Sequence, residues 1–201
     1  IISRVIEAEG FRVAILAQPG FRNCNDFKRF GRPKYAFLIT GGNIDSMVAH
    51  YTAAKRRRTD DAYTAGNRAG RRPDRAVTVY SKLAKEAYPD CPVVIGGLEA
   101  SLRRFAHYDY WDDKVRPSVL LESGADLLAF GMGEHQMAEI AHAFADGKST
   151  CEMRDIRGVC YLCRQDELPQ DYVQCASYYK VSSDKKSYAR AAKIQNDEQD
   201  H

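Results

Sequence analysis

Three short apolar runs, each followed directly by glycine, constrain the fold of this chain more than any other feature. They are Tyr35–Thr40 before Gly41 and Gly42, Val93–Ile95 before Gly96 and Gly97, and Ala125–Phe130 before Gly131 and Gly133. Short apolar runs bounded by turn residues are typical of strands that are buried on both faces. Helical patterns separate these runs, and alternating strands and helices predict an α/β fold. We therefore expect a mostly parallel open sheet with helices on both faces.

Further elements follow from the same periodicities. The sequence predicts a helix over Ile1–Glu9, a strand over Phe11–Ala17 and a short helix over Arg116–Ser123. Asp45 is suited to cap a helix that continues into Lys55–Arg58, where basic residues favour the end of a helix dipole. Two longer helices are predicted by apolar stripes, in Asp74–Tyr88 and around Met137, Ile140, Ala141 and Phe144. Since such a domain normally opens with a strand, we expect an earlier strand and loop before this sequence.

The character of the sequence changes near residue 149. We predict a first domain of residues 1–148 and an extension of residues 149–201. Within the extension, Ile156–Cys163 favours an edge strand or hairpin, and Ser183–Gln199 favours a weakly amphipathic helix. This helix has too little apolar surface to fold alone, so we expect it to lead into another domain.

Composition places the chain among soluble globular proteins. Its 201 residues are 44% hydrophobic and 28% charged, and the net charge is only +3. No apolar run approaches the roughly 18 residues that a membrane-spanning helix needs. The six cysteines are scattered through an α/β pattern without a secretory signal, so we expect reduced thiols in a cytoplasmic protein that does not bind membranes.

The carboxyl ends of the predicted strands are the candidate site, because ligands of open α/β sheets bind there. None of the glycine turns matches the G-x-G-x-x-G fingerprint, which argues against a Rossmann NAD site. Glycines also simply permit tight turns, but three such turns at one edge favour a cleft for a ligand or partner. The candidate substrate- or interface-contacting residues are Gly41, Gly42, Asn43, Gly96, Gly97, Glu99, Ser101, Arg103, Arg104, His107, Asp109, Tyr110, Trp111, Gly133 and Glu134.

No catalytic group or metal site is predicted from the residues alone. His107 with Asp109, Asp112 and Asp113 could hold a metal or act in acid–base chemistry, but we favour packing against a neighbouring domain. Cys160 and Cys163 have the spacing of half a zinc site, yet no second pair follows, and on a strand they would face opposite directions. No arrangement typical of nucleophilic catalysis stands out.

A basic segment, residues 55–75, supports a different function. It contains eight basic and three acidic residues within a long loop pattern. Such a loop is either a solvated charged surface or a contact for RNA or another polyanion, and the sequence supports the two interpretations equally. The candidate polyanion-binding residues are Arg56, Arg57, Arg58, Arg68, Arg71 and Arg72.

One block, GLEASLRRFAHYDYWDDKVRPSVLLESGADLLAFGMGE, resembles the N-terminal domain of the YgiQ family of bacterial radical SAM proteins. FRVAILAQP, ITGGNIDSMVAHYTAAKRRRTDDAYTAGNRAGRRPDRA and RPDRAVTVYSKLAKEAYPDCPVVIGG match the same domain in the same order, so the resemblance covers nearly the whole chain. The tail SYYKVSSDKKSYARAAKIQNDEQD resembles the connector before the catalytic domain. The resemblance implies a Rossmann-like, cobalamin-binding-type module followed by a radical SAM barrel.

The resemblance also implies a [4Fe–4S] cluster and S-adenosylmethionine in the parent protein. The barrel motif C-x-x-x-C-x-x-C is absent here, and Cys160 and Cys163 match neither its spacing nor its position. We therefore assign no cofactor to this chain, and we do not infer cobalamin because the region of a D-x-H-like motif is missing. The expected function is an accessory domain that shapes substrate access or docks on the barrel of the same polypeptide and is inert alone. The substrate is unknown, and RNA or polyanion binding is the alternative.

Overall fold

The computed structural model describes residues 1–199 and divides the chain into two compact units. The first unit comprises Ile1–Arg104 and Val119–Leu162. The second comprises Phe105–Ser118 and the described part of the chain from Cys163 onward. Residues 149–162 thus belong to the first unit, whereas the sequence groups them with the extension. The boundary at residue 148 stays a prediction for the whole protein.

Six strands are present in the described residues: β1 (Phe37–Thr40), β2 (Val93–Gly96), β3 (His107–Asp109), β4 (Lys114–Arg116), β5 (Leu127–Ala129) and β6 (Val159–Cys160). The first unit contains a four-stranded sheet in the order β1-β2-β5-β6. The first three strands run parallel, and β6 is antiparallel to β5 at the edge. Each of the three glycine-bounded runs is therefore a parallel strand, which confirms the mostly parallel open sheet.

The helices of the described residues are α1 (Ile2–Ala8), α2 (Ser46–His50), α3 (Ala76–Ala87), α4 (Gly97–Leu102), α5 (Val119–Ser123), α6 (Glu134–Ala145), α7 (Tyr178–Ser183) and α8 (Lys185–Gln199). Short 3-10 helices lie at Asn25–Lys28, Ala65–Asn67, Thr150–Met153 and Gln165–Glu167. Within residues 1–199, no helix combines the length and the apolar character needed to cross a membrane.

Two hydrophobic clusters lie on opposite faces of the sheet. Successive residues of β2 alternate between them, since Val93 and Ile95 join one cluster and Val94 joins the other. The first cluster is completed by apolar residues of α3 and α5, and the second by residues of α1 and α6. The expected helices on both faces are therefore present.

The predicted strand over Phe11–Ala17 is wrong. The segment belongs to none of the ladders of the sheet. Its apolar side chains are held by packing instead: Phe11 and Val13 contact one core cluster and Leu16 the other, while Ile15 is exposed. The alternating apolar residues have the pattern of a strand, but in the described part of the chain the segment has no neighbouring strand to pair with.

The helix that begins at Asp45 is shorter than expected. It ends at His50, and Tyr51 is extended with φ −128°. The backbone then turns back, because Thr52 N–H donates to the Arg56 carbonyl and Arg58 N–H to the His50 carbonyl, both at 2.8 Å. Lys55 has a positive φ of 59° within this turn. The basic run 55–58 therefore lies in a turn and not at a helix end. The predicted helix over Arg116–Ser123 likewise begins only at Val119.

The second unit contains the β3–β4 hairpin together with α7 and α8. The hairpin is antiparallel, with His107 opposite Arg116 and Asp109 opposite Lys114. The phenol of Tyr188 in α8 accepts a 2.9 Å hydrogen bond from the Tyr108 backbone N–H. This bond ties the hairpin to the predicted C-terminal helix.

Candidate functional site

The glycines at the ends of β1 and β2 allow close internal packing. A Cβ on Gly41 would lie 2.6 Å from Glu99 Oε2, and a Cβ on Gly97 would lie 2.4 Å from Thr40 Oγ1. Gly97 also has a φ of +78°, a conformation that other residues rarely adopt. The space beside these two glycines is occupied by the side chains of the domain itself.

Glu99 joins three helices at this edge of the sheet. It lies in α4, is 2% exposed, and accepts hydrogen bonds from Ser46 N–H at 2.8 Å and Val77 N–H at 2.9 Å. The Ser46 hydroxyl oxygen accepts a further bond from Ala76 N–H at 3.0 Å. One buried carboxylate thus satisfies the free N–H groups at the starts of both α2 and α3, where negative charge is favoured.

Asp45 and Arg103 form a second buried connection. Asp45 accepts hydrogen bonds from Met47 N–H at 2.9 Å and Val48 N–H at 3.2 Å, which confirms it as the cap of α2. Its other carboxylate oxygen forms an ion pair with the Arg103 guanidinium, and both side chains are buried. Arg103 is therefore directed into the domain.

Arg72 and Asp61 pair inside the loop between α2 and α3. The guanidinium donates to Asp61 Oδ2 at 2.8 and 3.2 Å and to the Gly41 carbonyl at 3.1 Å. Thr64 donates to the same carboxylate oxygen at 2.8 Å. Burial alone would raise the pKa of Asp61, but the hydrogen bonds from Arg72 and Thr64 outweigh it and hold that pKa below its usual value.

A third cluster lies at the end of α2. His50 Nδ1 is 2.7 Å from one oxygen of Asp74, and the Tyr51 hydroxyl donates to the other oxygen at 2.7 Å. Burial alone would raise the pKa of Asp74, but the hydrogen bonds from Tyr51 and His50 outweigh burial and lower this pKa. The hydrogen bond between Tyr51 and Asp74 raises the pKa of Tyr51. His50 Nε2 is buried without a hydrogen-bond partner.

Sequence reasoning did not identify Asp61, Asp74 or His50. Asp61 lies 11 residues from its partner Arg72, and His50 lies 24 residues from Asp74. Neither separation matches a helical or strand period, so no local signal marks these pairs. Only the loop between α2 and α3 brings them together.

The remaining candidates of the first unit surround α4. Ser101 Oγ accepts a 3.2 Å hydrogen bond from Gly131 N–H, which joins α4 to the loop after β5. The Arg104 guanidinium lies 5.0 Å from the centre of the Phe130 ring and donates to the Ser101 carbonyl at 2.7 Å. The other candidates lie in the turns that follow the strands: Gly42 and Asn43 after β1, and Gly133 and Glu134 at the start of α6.

The other four candidates, His107, Asp109, Tyr110 and Trp111, lie in the second unit. Asp109 is buried and accepts hydrogen bonds from Trp111 N–H and Asp112 N–H, both at 3.0 Å, which closes the turn of the hairpin. The Tyr110 and Trp111 rings pack edge to face with centres 5.8 Å apart. His107 Nδ1 lies 3.1 Å from the Phe105 carbonyl. These hydrogen bonds and ring contacts all lie within residues 105–112.

Three exposed apolar side chains lie near the carboxyl ends of β2 and β5. Leu98 and Leu102, four residues apart on α4, are 47% and 61% exposed. Met132, next to the Gly131 that bonds to Ser101, is 85% exposed. We call these three residues the apolar edge. Large apolar groups that are exposed together at one edge of a domain are typical of interaction surfaces.

The polyanion candidates are mostly on the surface. Arg56, Arg57, Arg58, Arg68 and Arg71 are exposed. Arg72 differs from the expectation, because it is buried in its pair with Asp61.

Burial raises the pKa of two of the six thiols, that of Cys160 to about 11 and that of Cys91 as well. In the described residues, no three His, Cys, Asp or Glu side chains come together as possible metal ligands. We derive no chemistry through a cluster for this chain.

Comparison with known proteins identifies the family. The family model described as Radical SAM N-terminal matches residues 1–201. A UPF0313 protein of Clostridium botulinum strain 657 is 53% identical over 200 residues, covering 100% of this chain and 31% of that protein. A UPF0313 protein of Clostridium perfringens strain 13 is 51% identical over 201 residues, covering 100% of this chain and 30% of that protein.

No solved structure matches the chain significantly. This chain spans less than a third of the length of these relatives and aligns with them along its whole length. Together with the family match, this alignment fixes the identity of the domain. The chain belongs to the Radical SAM N-terminal family.

Proposed function

We propose that this domain is an accessory domain of a radical SAM protein and that its apolar edge docks on the radical SAM region of the same polypeptide. The observation that carries the proposal is the exposure of Leu98, Leu102 and Met132 at the carboxyl end of the sheet. The proposed occupant follows from length, because about two thirds of each relative lies outside the part that this chain matches.

The polar groups at this edge have a positioning role in the proposal. Glu99 and Arg103 were expected to contact the substrate or the barrel, yet both are buried and bonded within the domain. Glu99 fixes α4 relative to α2 and α3, and α4 in turn presents Leu98 and Leu102. A rigid helix that displays apolar side chains loses little conformational entropy on docking.

We also propose that the domain catalyses no reaction by itself. The buried carboxylates act as helix caps and as ion-pair partners of arginines. We place the cluster and S-adenosylmethionine in the remainder of the parent protein, and the family match supports this proposal. The reaction and substrate are not assigned.

The test uses the full-length protein with a reconstituted cluster. We expect Leu102→Glu to lower the rate of reductive S-adenosylmethionine cleavage at least about tenfold, because a charge in an apolar interface must be desolvated without a partner. Leu121→Glu is the matched control, since Leu121 is 57% exposed on α5 of the same unit. Equal loss in both variants, or unchanged cleavage in both, would contradict the proposed docking.

A further inference from the structure

The segment 55–75 sorts its charges between the interior and the surface. Asp61 is buried against Arg72, and Asp74 is bonded to His50 and Tyr51. Of the three acids in the segment, Asp61 is buried, Asp60 is exposed, and the side chain of Asp74 is 38% exposed. The exposed cations are Lys55, Arg56, Arg57, Arg58, Arg68 and Arg71. The outward surface of the segment is therefore strongly positive, with six exposed cations against the exposed Asp60 and the partly exposed Asp74.

This surface is held in place by internal bonds. Antiparallel bridges connect Tyr51 with Arg57 and Asp60 with Arg68. The buried Arg72 pair anchors the same loop to the Gly41 carbonyl after β1. The backbone of this loop is thus fixed before a ligand binds, which lowers the entropic cost of association.

Gly70, directly before Arg71, lies close to Arg57 of the run 56–58. A Cβ on Gly70 would lie 3.8 Å from Arg57 Nη2. The backbone before Arg71 therefore passes beside the run 56–58. Five of the six exposed cations are arginines, whose planar guanidinium groups suit bidentate contacts with phosphate.

An exposed aromatic side chain accompanies the arginines. Tyr63 is 51% exposed. Its backbone is fixed on both sides, because its N–H donates to Asp61 Oδ1 at 3.0 Å and its carbonyl accepts from Gln18 Nε2 at 3.3 Å. A positive surface with an exposed aromatic ring is the arrangement on which unpaired bases stack while cations contact the phosphates.

We propose that the basic segment binds single-stranded nucleic acid, with the arginines contacting the phosphodiester backbone and Tyr63 stacking on a base. Binding of an acidic protein or an anionic membrane would require the positive charge of the segment but not the aromatic ring of Tyr63. The proposal does not depend on the apolar edge, which is formed by other residues.

The experiment measures binding of the full-length protein to a fluorescein-labelled single-stranded RNA of about 20 nucleotides and to a DNA of the same sequence, by fluorescence anisotropy. We expect binding that weakens steeply with salt, with a slope of log K against log salt of about −3. Tighter binding of one strand type identifies the natural class, and equal binding indicates recognition of the shared backbone.

Two variants separate the contributions. Arg56→Gln/Arg68→Gln/Arg71→Gln should weaken binding by on the order of tenfold or more at about 100 mM salt and flatten the salt slope by about 2. Tyr63→Ala should weaken binding about fivefold or more and leave the slope unchanged. Arg12→Gln/Arg22→Gln/Arg157→Gln removes three exposed cations elsewhere in the first unit and should bind as wild type.

Several results would overturn the proposal. Absence of binding at low salt removes it, as does equal weakening by the control triple variant. Polyglutamate or vesicles with anionic lipids that bind as tightly as RNA and DNA, with no effect of Tyr63→Ala, would indicate a general anionic partner and contradict nucleic-acid recognition.

Discussion

At the scale of single residues, this domain is organised by buried charges that cap helices and neutralise arginines. Glu99 caps two helices at once, and Asp45 and Asp61 each neutralise a buried arginine. Removing one member of such a pair leaves the other charge buried without a partner, which is more costly than the net value of the pair. These residues are therefore expected to be sensitive to substitution.

Glu99→Gln should destabilise the domain by about 1–3 kcal/mol. Its two carboxylate oxygens each accept a backbone N–H, and a glutamine would place its NH₂ group against one of these donors. Urea unfolding followed by far-UV circular dichroism measures the change. Glu139→Gln, at an exposed position of α6, should leave stability unchanged, and a similar loss in both variants would contradict the capping role.

Asp61→Asn should destabilise the domain by about 3 kcal/mol at neutral pH, because Arg72 loses its buried counter-charge. The pKa of Asp61 is lower in the folded state than its ordinary value of 3.8, so its contribution is complete above that pH. It is lost as the pH falls through the lower folded pKa. Wild-type protein should therefore lose stability below about pH 4 in a component that Asp61→Asn lacks.

Asp60→Asn is the control for this prediction, since Asp60 is adjacent but exposed. It should change the free energy of unfolding by less than about 0.5 kcal/mol. An Asp61→Asn variant with the same acid-induced loss as wild type would show that the pH dependence has another source.

At the scale of elements, the turn between β2 and α4 requires glycine for two reasons. Gly97 has a positive φ, and it also lies against Thr40, whose hydroxyl accepts a bond from Gly42 N–H at 3.2 Å. The close approach places α4 directly over the ends of β1 and β2. The position of Leu98 and Leu102 thus depends on a residue without a side chain.

Gly97→Ala should destabilise the domain by about 2–3 kcal/mol, of which about 1–2 comes from the left-handed backbone and the rest from displacing Thr40. Gly124→Ala isolates the first part, because Gly124 has a φ of +67° and no atom within 4 Å of its Cβ position. Thermal unfolding of both variants gives the difference. Equal destabilisation would show that the contact with Thr40 is unimportant.

The strands and long helices could be predicted because their signals are local. The apolar run at Val93 and the stripe of α3 each specify their own element, and the cap at Asp45 correctly marks the start of α2. The end of α2 could not be predicted, since it depends on the Arg56 and Arg58 backbone bonds of the following turn. The segment Phe11–Ala17 failed for the same reason: a strand needs a partner, which the pattern does not contain.

The position of the candidate site stays a prediction, but two of its charged residues have surroundings that differ from the expectation. The glycine turns do mark the edge where α4 and the loop after β5 meet. Charged residues such as Glu99 and Arg103 were expected to contact a ligand or partner, because they follow the central strand at the edge where ligands of open α/β sheets bind. Their burial depends on partners at Ser46, Val77 and Asp45, which no local spacing reveals.

At the scale of the whole molecule, the proposed docking of the apolar edge is the central claim. The most direct measurement is hydroxyl-radical footprinting of the full-length protein, with side-chain oxidation read by mass spectrometry. Met132, 85% exposed in this domain, should be protected in the wild type and oxidised several-fold faster in Leu102→Glu. Leu121 should be oxidised equally in both. Full oxidation of Met132 in the wild type, unchanged in Leu102→Glu, would contradict the docking of this edge on the rest of the polypeptide.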